Sequence, residues 1–505
     1  MDRADIRILV AKALSINSMV ACSQVSKAWN SDFTQYVWYG VDLELQPRFK
    51  DLDPRIIAKH GHHIKVVKNI KKRSELDLFM DPSIKNLDNL TVRLKNKDGF
   101  CRQVIELIRQ NLCSLTKLSI TGEKPNKQRT PFDLADALTP KSTANEPSKI
   151  VEMTIEHLSM SRASFSTVLS LCPALKELDL QDCSILGDGD GKAFFQHMEL
   201  SWLLSTSAQV FKPDPELSTE PLLVHFPKLL SWDIWNPSSP HTIENAELIK
   251  STITKYCPDV RRYFLNDISS ASTQTLLTKA IEKPTLLCVE IVAITPSVIM
   301  GIIQHKATLE ELRTYDPRAG DWDYCVDDVF QIEDKTPDKW MIHLILSKCS
   351  AVKCIKLPSH EMDLDHVQHF PWACKDIKDV RVRVKGLDTK ELILATIKKW
   401  GRGCYARRRA NASNEASKIG GITKETEAKH ETAASTVATV TATAADQKSE
   451  DNSVATILAE DEGKTTTEET ETEIANPIVD KMAAHLLKFE NLTTVWLGYK
   501  LWTLQ

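Results

Sequence analysis

One phrase returns along most of this chain: an apolar residue, two others, a second apolar residue, one other, and a third apolar residue. Its fullest copy is Leu175-Lys176-Glu177-Leu178-Asp179-Leu180. Earlier copies begin at Ile64, Leu87, Leu115 and Ile150, with the second apolar residue at Val67, Leu90, Leu118 and Met153. Later copies begin at Leu229, Val260, Leu286, Leu309, Val352, Ile377 and Leu492. Alternating apolar residues at the end of the phrase describe a short strand with one face buried. Apolar residues three and four apart, as from Phe165 to Leu171 and from Ile249 to Tyr256, describe a helical return. One such unit cannot bury its own edge, so units must stack and share a core. A spacing of mostly about 23–35 residues fits an array of this kind stretched by insertions. The expected fold class is therefore α/β, with neighbouring strands in one parallel sheet. Longer gaps follow Leu178 and Leu312, and each could hide a degenerate unit. The competing reading is an α/β protein carrying such phrases by chance.

Cys172-Pro173 and Cys257-Pro258 occupy the same place in two units, just before the strand. Proline ends the returning helix, and a buried cysteine serves there as a small apolar plug. With these residues the array resembles the cysteine-containing class of leucine-rich repeats. The resemblance implies a solenoid with an inner parallel sheet over residues 44–404, and composition places loops near 121–149 and 212–221.

The N-terminal stretch has a different pattern. Ile6, Leu9, Val10, Ala13 and Leu14 make one apolar helix side. Ser15-Ile16-Asn17-Ser18 supplies capping residues before a second helix, expected from about Met19 to Trp29 with Val20 and Val25 in its apolar set. Asn30-Ser31 should break the chain before a short segment carrying Phe33, Val37 and Trp38. Val20-Ala21-Cys22-Ser23, Val25-Ser26-Lys27-Ala28-Trp29 and Trp38-Tyr39-Gly40-Val41-Asp42-Leu43 follow in the order of an F-box. Residues 1–43 thus resemble an F-box-like three-helix module. The family usually opens with Leu-Pro, whereas Arg3-Ala4 precede Asp5 here. The plainer alternative is a helical cap on the array whose apolar face packs only inward.

From about 405 to 476 the composition turns to Thr, Ala, Glu and Ser, and no aromatic residue falls between Arg407 and Ala475. Such a stretch buries too little apolar surface to offset chain ordering. It reads as a disordered insertion before a terminal repeat at 477–505, where Ile478, Met482, Leu486 and Leu487 form a helical stripe.

Lys plus Arg (64) nearly balance Asp plus Glu (68), so charge argues neither for nucleic acid nor for a membrane surface. No run reaches the roughly 18 apolar residues of a membrane helix, and no secretory signal is expected. Twelve cysteines without paired spacing read as reduced thiols, which places the chain in the cytoplasm, the nucleus or both.

Catalytic motifs are weak. His60-Gly61-His62-His63 lacks further ligands at metal spacing and reads as a surface loop. Gly187-Asp188-Gly189-Asp190-Gly191-Lys192 fits neither a phosphate loop nor a calcium loop, because Ala193 stands at the deciding position. The basic run from Lys398 to Arg409 is open to three readings: a solvated edge, a nuclear address or a nucleic-acid contact. No catalytic residue, metal site or cofactor is expected.

Residues flanking the second anchor of each phrase turn away from the core. They include Glu177, Asp179 and Gln181; Ser231, Asp233 and Trp235; Arg262, Phe264 and Asn266; Glu311, Arg313 and Tyr315; Asp379, Arg381 and Arg383; and Trp496. Aromatic residues and arginines are frequent hot spots at interfaces. Asp233, Trp235, Phe264, Asn266, Arg313, Tyr315, Arg381 and Arg383 are the candidate target-binding residues. A one-residue bulge would turn any of them inward. Arg381 and Arg383 share a strand face and would favour an acidic or phosphorylated partner.

An F-box followed by leucine-rich repeats is, by that resemblance, the substrate-recognition subunit of an SCF-type (Skp–cullin–F-box) ubiquitin ligase. Ile6, Leu9, Val10, Leu14, Val20 and Val25 would face or support the Skp-type adaptor and, through it, a cullin. Trp29 and Trp38 would lock the module onto the repeats. The repeats would hold a target protein, and the chain itself would do no chemistry. The alternative function is a leucine-rich-repeat protein-interaction scaffold outside ubiquitination.

Overall fold

A computed structural model of the 505-residue chain describes residues 10–11, 14–95, 99–123, 132–140, 147–187, 195–205, 220–234, 246–265, 270–281, 285–291, 294–314, 340–387, 389–427 and 476–497. Among the described residues fourteen strands form one sheet whose spatial order is their chain order. They are β1 (Gly40–Asp42), β2 (Val66–Ile70), β3 (Asn89–Arg93), β4 (Lys117–Thr121), β5 (Glu152–Glu156), β6 (Glu177–Gln181) and β7 (Trp202–Ser205). There follow β8 (Ser231–Ile234), β9 (Arg262–Leu265), β10 (Cys288–Ile291), β11 (Glu311–Thr314), β12 (Cys354–Met362), β13 (Asp379–Val384) and β14 (Thr494–Leu497). Every neighbouring pair is parallel. A second, two-stranded parallel ribbon pairs Ser159–Ser161 with Ser184–Leu186. The molecule is thus α/β with a solenoid-like, all-parallel sheet.

All twelve phrases become strands, and their second anchors pair across the sheet. Leu118 meets Met153, Met153 meets Leu178, and Val289 meets Leu312. Apart from the half-buried Val495, these anchors are essentially sealed from solvent, in one continuous cluster with the apolar sides of the returning helices. The Phe100–Asn111 helix contributes Val104, Leu107 and Ile108. The Arg162–Leu171 helix contributes Phe165, Val168 and Leu169, and the Ser161 hydroxyl caps it by accepting the Ser164 N–H at 3.0 Å. Gly301, in the Pro296–Gln304 helix, lets the preceding turn approach: a Cβ there would lie 2.8 Å from Leu277 Cβ.

One contact recurs at each junction between strands. The carbonyl just before a strand accepts two successive N–H groups from the next turn. Val151 O accepts Lys176 N and Glu177 N at 2.8 and 3.0 Å, Lys176 O accepts Ser201 N and Trp202 N, and Ser201 O accepts Leu230 N and Ser231 N. The series runs from Tyr39 O, which accepts Lys65 N and Val66 N, to Lys378 O, which accepts Thr493 N and Thr494 N.

Cys172 and Cys257 are buried plugs three residues before their anchors, and Cys349 and Cys374 fill the same place in two later turns. Burial pushes all four thiols up to about 12, which leaves them as unreactive apolar groups.

The gap after Leu178 does hold a further unit, β7. Its phrase ends on Ser205 instead of an aliphatic residue, and His197 stands where a cysteine would be. His197 Nε2 bonds Cys172 O at 2.8 Å, so a polar contact to the preceding turn replaces the plug. After Leu312 the next described strand is β12, with Leu312 paired directly with Ile355, and residues 315–339 of this gap lie outside the described set. β13 likewise pairs directly with β14, Val380 against Val495, although more than a hundred residues separate them.

Several expected boundaries shift. The sheet begins at β1, inside the stretch assigned to the N-terminal module, because Tyr39 O and the Gly40–Asp42 backbone are already in register with β2. The expected helix from Met19 to Trp29 is instead two helices, Ile16–Ser23 and Lys27–Val37. Ser26 is extended and its hydroxyl accepts the Trp29 N–H at 3.2 Å, so the break falls there, and Asn30-Ser31 lie inside the second helix. The loop near 121–149 contains a short helix, Leu134–Leu138, whose Leu134, Ala137 and Leu138 are buried. Of the loop near 212–221, residues 212–219 lie outside the described set. The Lys390–Glu427 helix crosses the expected start of the insertion at 405. It is anchored to the Pro477–Leu486 helix by Lys399–Asp480 at 2.7 Å and by Arg407 donating to Leu487 O. Residues 428–475 lie outside the described set.

Buried histidines sit between late turns. Trp372 Nε1 donates to His343 Nδ1 at 3.2 Å, which assigns the His343 proton to Nε2. Burial brings His343 down to about 4 and His485 to about 3; His225, in the middle of the array, also falls to about 4 for the same reason. Folded pKa values below the free histidine value mean that stability is full above about pH 6.5 and is lost as pH falls toward 4. At pH 5 each histidine removes about 2 kcal/mol. The thermal midpoint should be flat between pH 7 and 8 and fall steadily below 6.5, and a joint His343→Phe, His485→Phe variant should flatten that fall, as read by scanning calorimetry.

Candidate functional site

The residues that alternate with the buried anchors lie on the sheet face away from the helices, and the register places them in rows. Asp233 of β8 lies beside Phe264 of β9, which lies beside Glu290. Glu290 is followed by Arg313, Lys356 and Arg381, and Trp496 holds the same register position on β14. The adjoining row runs Arg262, Cys288, Glu311, Cys354 and Asp379. Adjacent strands are about 4.8 Å apart, so Arg313, Lys356 and Arg381 form a closely spaced cationic ridge.

Carboxylates hold that ridge in place. Glu311 Oε1 lies 2.6 Å from Arg313 Nη2 and 3.3 Å from Lys356 Nζ. Asp379 lies 3.8 Å from Lys356 and 3.2 Å from Arg381 Nε. Although burial opposes ionisation, the Arg313 guanidinium and the neighbouring hydrogen bonds hold Glu311 down to about 2. The Arg313 guanidinium also lies 5.9 Å over the Phe264 ring, a cation–π arrangement. Burial raises the Cys288 and Cys354 thiols beside the ridge, Cys354 to about 12, so neither supplies a nucleophile.

The face is not equally open along its length. Gln181, Leu204 and Asp233 are buried although they point away from the helix layer, Asp233 being 8 % exposed. From β9 onward Phe264, Glu290, Arg313 and Lys356 are half-exposed and Arg381 is open. Asp179, in the covered part, is pushed up to about 7 by burial, against a 2.9 Å bond from Gln181 Nε2.

Of the candidate target-binding residues, the register brings Asp233, Phe264, Arg313, Arg381 and Arg383 onto one face; Asp233 is buried there and the other four remain accessible. A register shift between Leu357 and Glu361 sets Arg383 opposite Glu361. Trp235, Asn266 and Tyr315 lie outside the described residues. Sequence reasoning missed Lys356, the middle of the ridge; the Val352-x-x-Ile355-x-Leu357 phrase already placed it on this face.

Among the N-terminal candidates, Ile6 and Leu9 lie outside the described residues. Leu14 is half-buried, whereas Val10, Val20 and Val25 are 38, 39 and 66 % exposed. The Ile16–Ser23 helix buries no residue at all. Trp38 does join this stretch to the array, stacking on His60 at 4.6 Å and meeting Phe49 edge-on at 5.5 Å. Trp29 instead stacks on Phe33 of its own helix at 5.3 Å.

Other motifs resolve structurally. His60 ends the Pro54–His60 helix and Gly61–His63 forms a 3₁₀ turn, not an open loop. Among the described residues no group of three or more His, Cys, Asp and Glu side chains could hold a metal ion. Of the Gly187–Lys192 motif, residues 188–192 lie outside the described set. The basic run lies in the Lys390–Glu427 helix, where Trp400 packs against the core. No described helix is long and apolar enough to cross a membrane. No protein-family model matches the chain, and no curated protein matches it.

Replacing Glu311 with Gln removes the charge that positions two cations. Leaving a half-buried ion pair uncompensated should destabilise the fold by about 1–3 kcal/mol, read as a lower urea midpoint. Glu311→Asp should fall between that variant and the parent.

Proposed function

We propose that the chain is the substrate-recognition subunit of an SCF-type ubiquitin ligase. In this reading residues 1–43 are a divergent F-box that docks a Skp-type adaptor. The array is a cysteine-containing leucine-rich-repeat solenoid that holds a target protein on its open sheet face. The observation that carries the reading is the Ile16–Ser23 helix, which half-buries Ile16, Met19 and Cys22, fully buries no residue, and leaves Val20 and the following Val25 exposed to solvent. A helix gains most of its stability from packing an apolar face, so such a helix suits a protein that completes it. Trp38 fixes its position relative to the array. The target then lies at a fixed distance from whatever the adaptor carries, and the effect on ubiquitin transfer is one of effective concentration. The half of the face from β9 to β13 is open enough to take the target, with Phe264, Arg313, Lys356 and Arg381 as anchors.

Val20→Asp with Val25→Asp should abolish co-purification with a Skp-type adaptor, weakening binding more than a hundredfold, while circular dichroism and thermal midpoint stay unchanged. Retained binding by a folded double variant would overturn the assignment. Arg313→Ala with Arg381→Ala should leave adaptor binding intact and remove captured targets, as seen by mass spectrometry of the co-purified proteins.

A further inference from the structure

A cavity of about 470 Å³ opens between the last two turns of the array. Its walls come from two chain segments: the one leading into β13, with Val367, Trp372 and Cys374, and the one leading into β14, with His485 and Phe489. The volume is in the range of pockets that hold small organic ligands.

The wall is aromatic. Trp372 and Phe489 lie parallel within 27° with ring centres 5.6 Å apart. His485 meets both edge-on, at 4.6 Å from Trp372 and 5.2 Å from Phe489. His485 is 6 % exposed, and neither of its ring nitrogens has a hydrogen-bond partner. Its imidazole therefore stands as a neutral ring, its plane perpendicular to those of both neighbours. The rim is polar and carries both signs of charge, Lys375 and Lys488 against Asp376 and Glu490. Asn491 Nδ2 donates to Asp376 Oδ1 at 3.3 Å and bridges the two segments across the mouth.

Several other turns carry a buried cysteine or a single ring three residues before the anchor, as Cys172, Phe226 and Cys257 do. Here Cys374 is buried against Leu346 O at 3.8 Å, yet space remains beside it, because the chain from Phe370 to Lys378 follows a longer path into the strand.

We propose that this cavity binds a flat aromatic group carrying a polar substituent, with the ring against Trp372, His485 and Phe489 and the substituent at the charged rim. The group could belong to a free small molecule or to an aromatic side chain of a partner, and the chemistry is the same. Occupancy would join the β13 and β14 segments, tying the terminal turn to the array. This inference does not depend on the ubiquitin-ligase reading.

The test uses the full chain and two fluorinated probes followed by ¹⁹F NMR: 5-fluoroindole, and N-acetyl-5-fluorotryptophanamide as the side-chain form. Saturable broadening of one or both probes is expected. Binding of the free indole alone points to a small-molecule ligand, and binding of the amide as well points to a side chain. Cys374→Phe, which fills the cavity from its wall, should weaken binding at least tenfold while the fold persists. Undiminished binding by folded Cys374→Phe would overturn the site. Should that variant fail to fold, a soak of parent crystals decides: probe density against Trp372 supports the site, and an empty cavity with density elsewhere overturns it. Absence of saturable broadening for both probes also overturns it.

Discussion

A single carbonyl serving two N–H groups of the next turn is the contact on which the rest of the molecule depends. It recurs from Tyr39 O to Lys378 O, always at the entrance to a strand. Parallel strands have no hairpin to set their register, so something else must fix each one against its neighbour. The shared carbonyl does this at the first residue, and the alternation of anchors then follows. Because a one-residue slip would send every leucine to the solvent face, the clamp and the buried row protect the same register. The charged ridge is a by-product: Arg313, Lys356 and Arg381 align only because Leu312, Ile355 and Val380 do.

The repeat was legible because its signal is local. Two apolar residues spaced by one other, preceded by a third, mark a strand whose partners need not be known. Legibility failed where polar contacts replaced apolar ones. β7 was hidden because Ser205 and His197 stand where an aliphatic residue and a cysteine would be expected. The break at Ser26 was hidden because a hydroxyl cap outweighs the apolar spacing from Met19 to Trp29. The helical path beyond 405 has a physical anchor too: Lys399 and Arg407 reach a helix some eighty residues later, a contact that composition alone does not reveal.

For the candidate site, sequence identified the face and the arginines on it but not how they are held. The Glu311 keel joins residues forty-five positions apart, and only the pairing of β11 with β12 brings Lys356 to it. The partial covering of the face at β6 to β8 was likewise invisible, since Leu204 and Asp233 occupy positions that alternation assigns to the open side. At the N-terminus the pattern of apolar residues was readable; that Val10, Val20 and Val25 stay exposed while Ala11 and Phe33 are buried was not.

The direct pairing of β13 with β14 bears on how such a molecule can change over time. After β13 the chain runs through the Lys390–Glu427 helix, whose first turns pack on the core, and returns through the Pro477–Leu486 helix to the neighbouring strand β14. Closing a loop costs only about 0.6 kcal/mol more for each doubling of its length. The sequence between the Lys390–Glu427 and Pro477–Leu486 helices can therefore change in length or be exchanged for a foreign domain with little thermodynamic consequence for the stack. The last junction is a natural splice point, where evolution or an engineer can graft new sequence while keeping every existing seam.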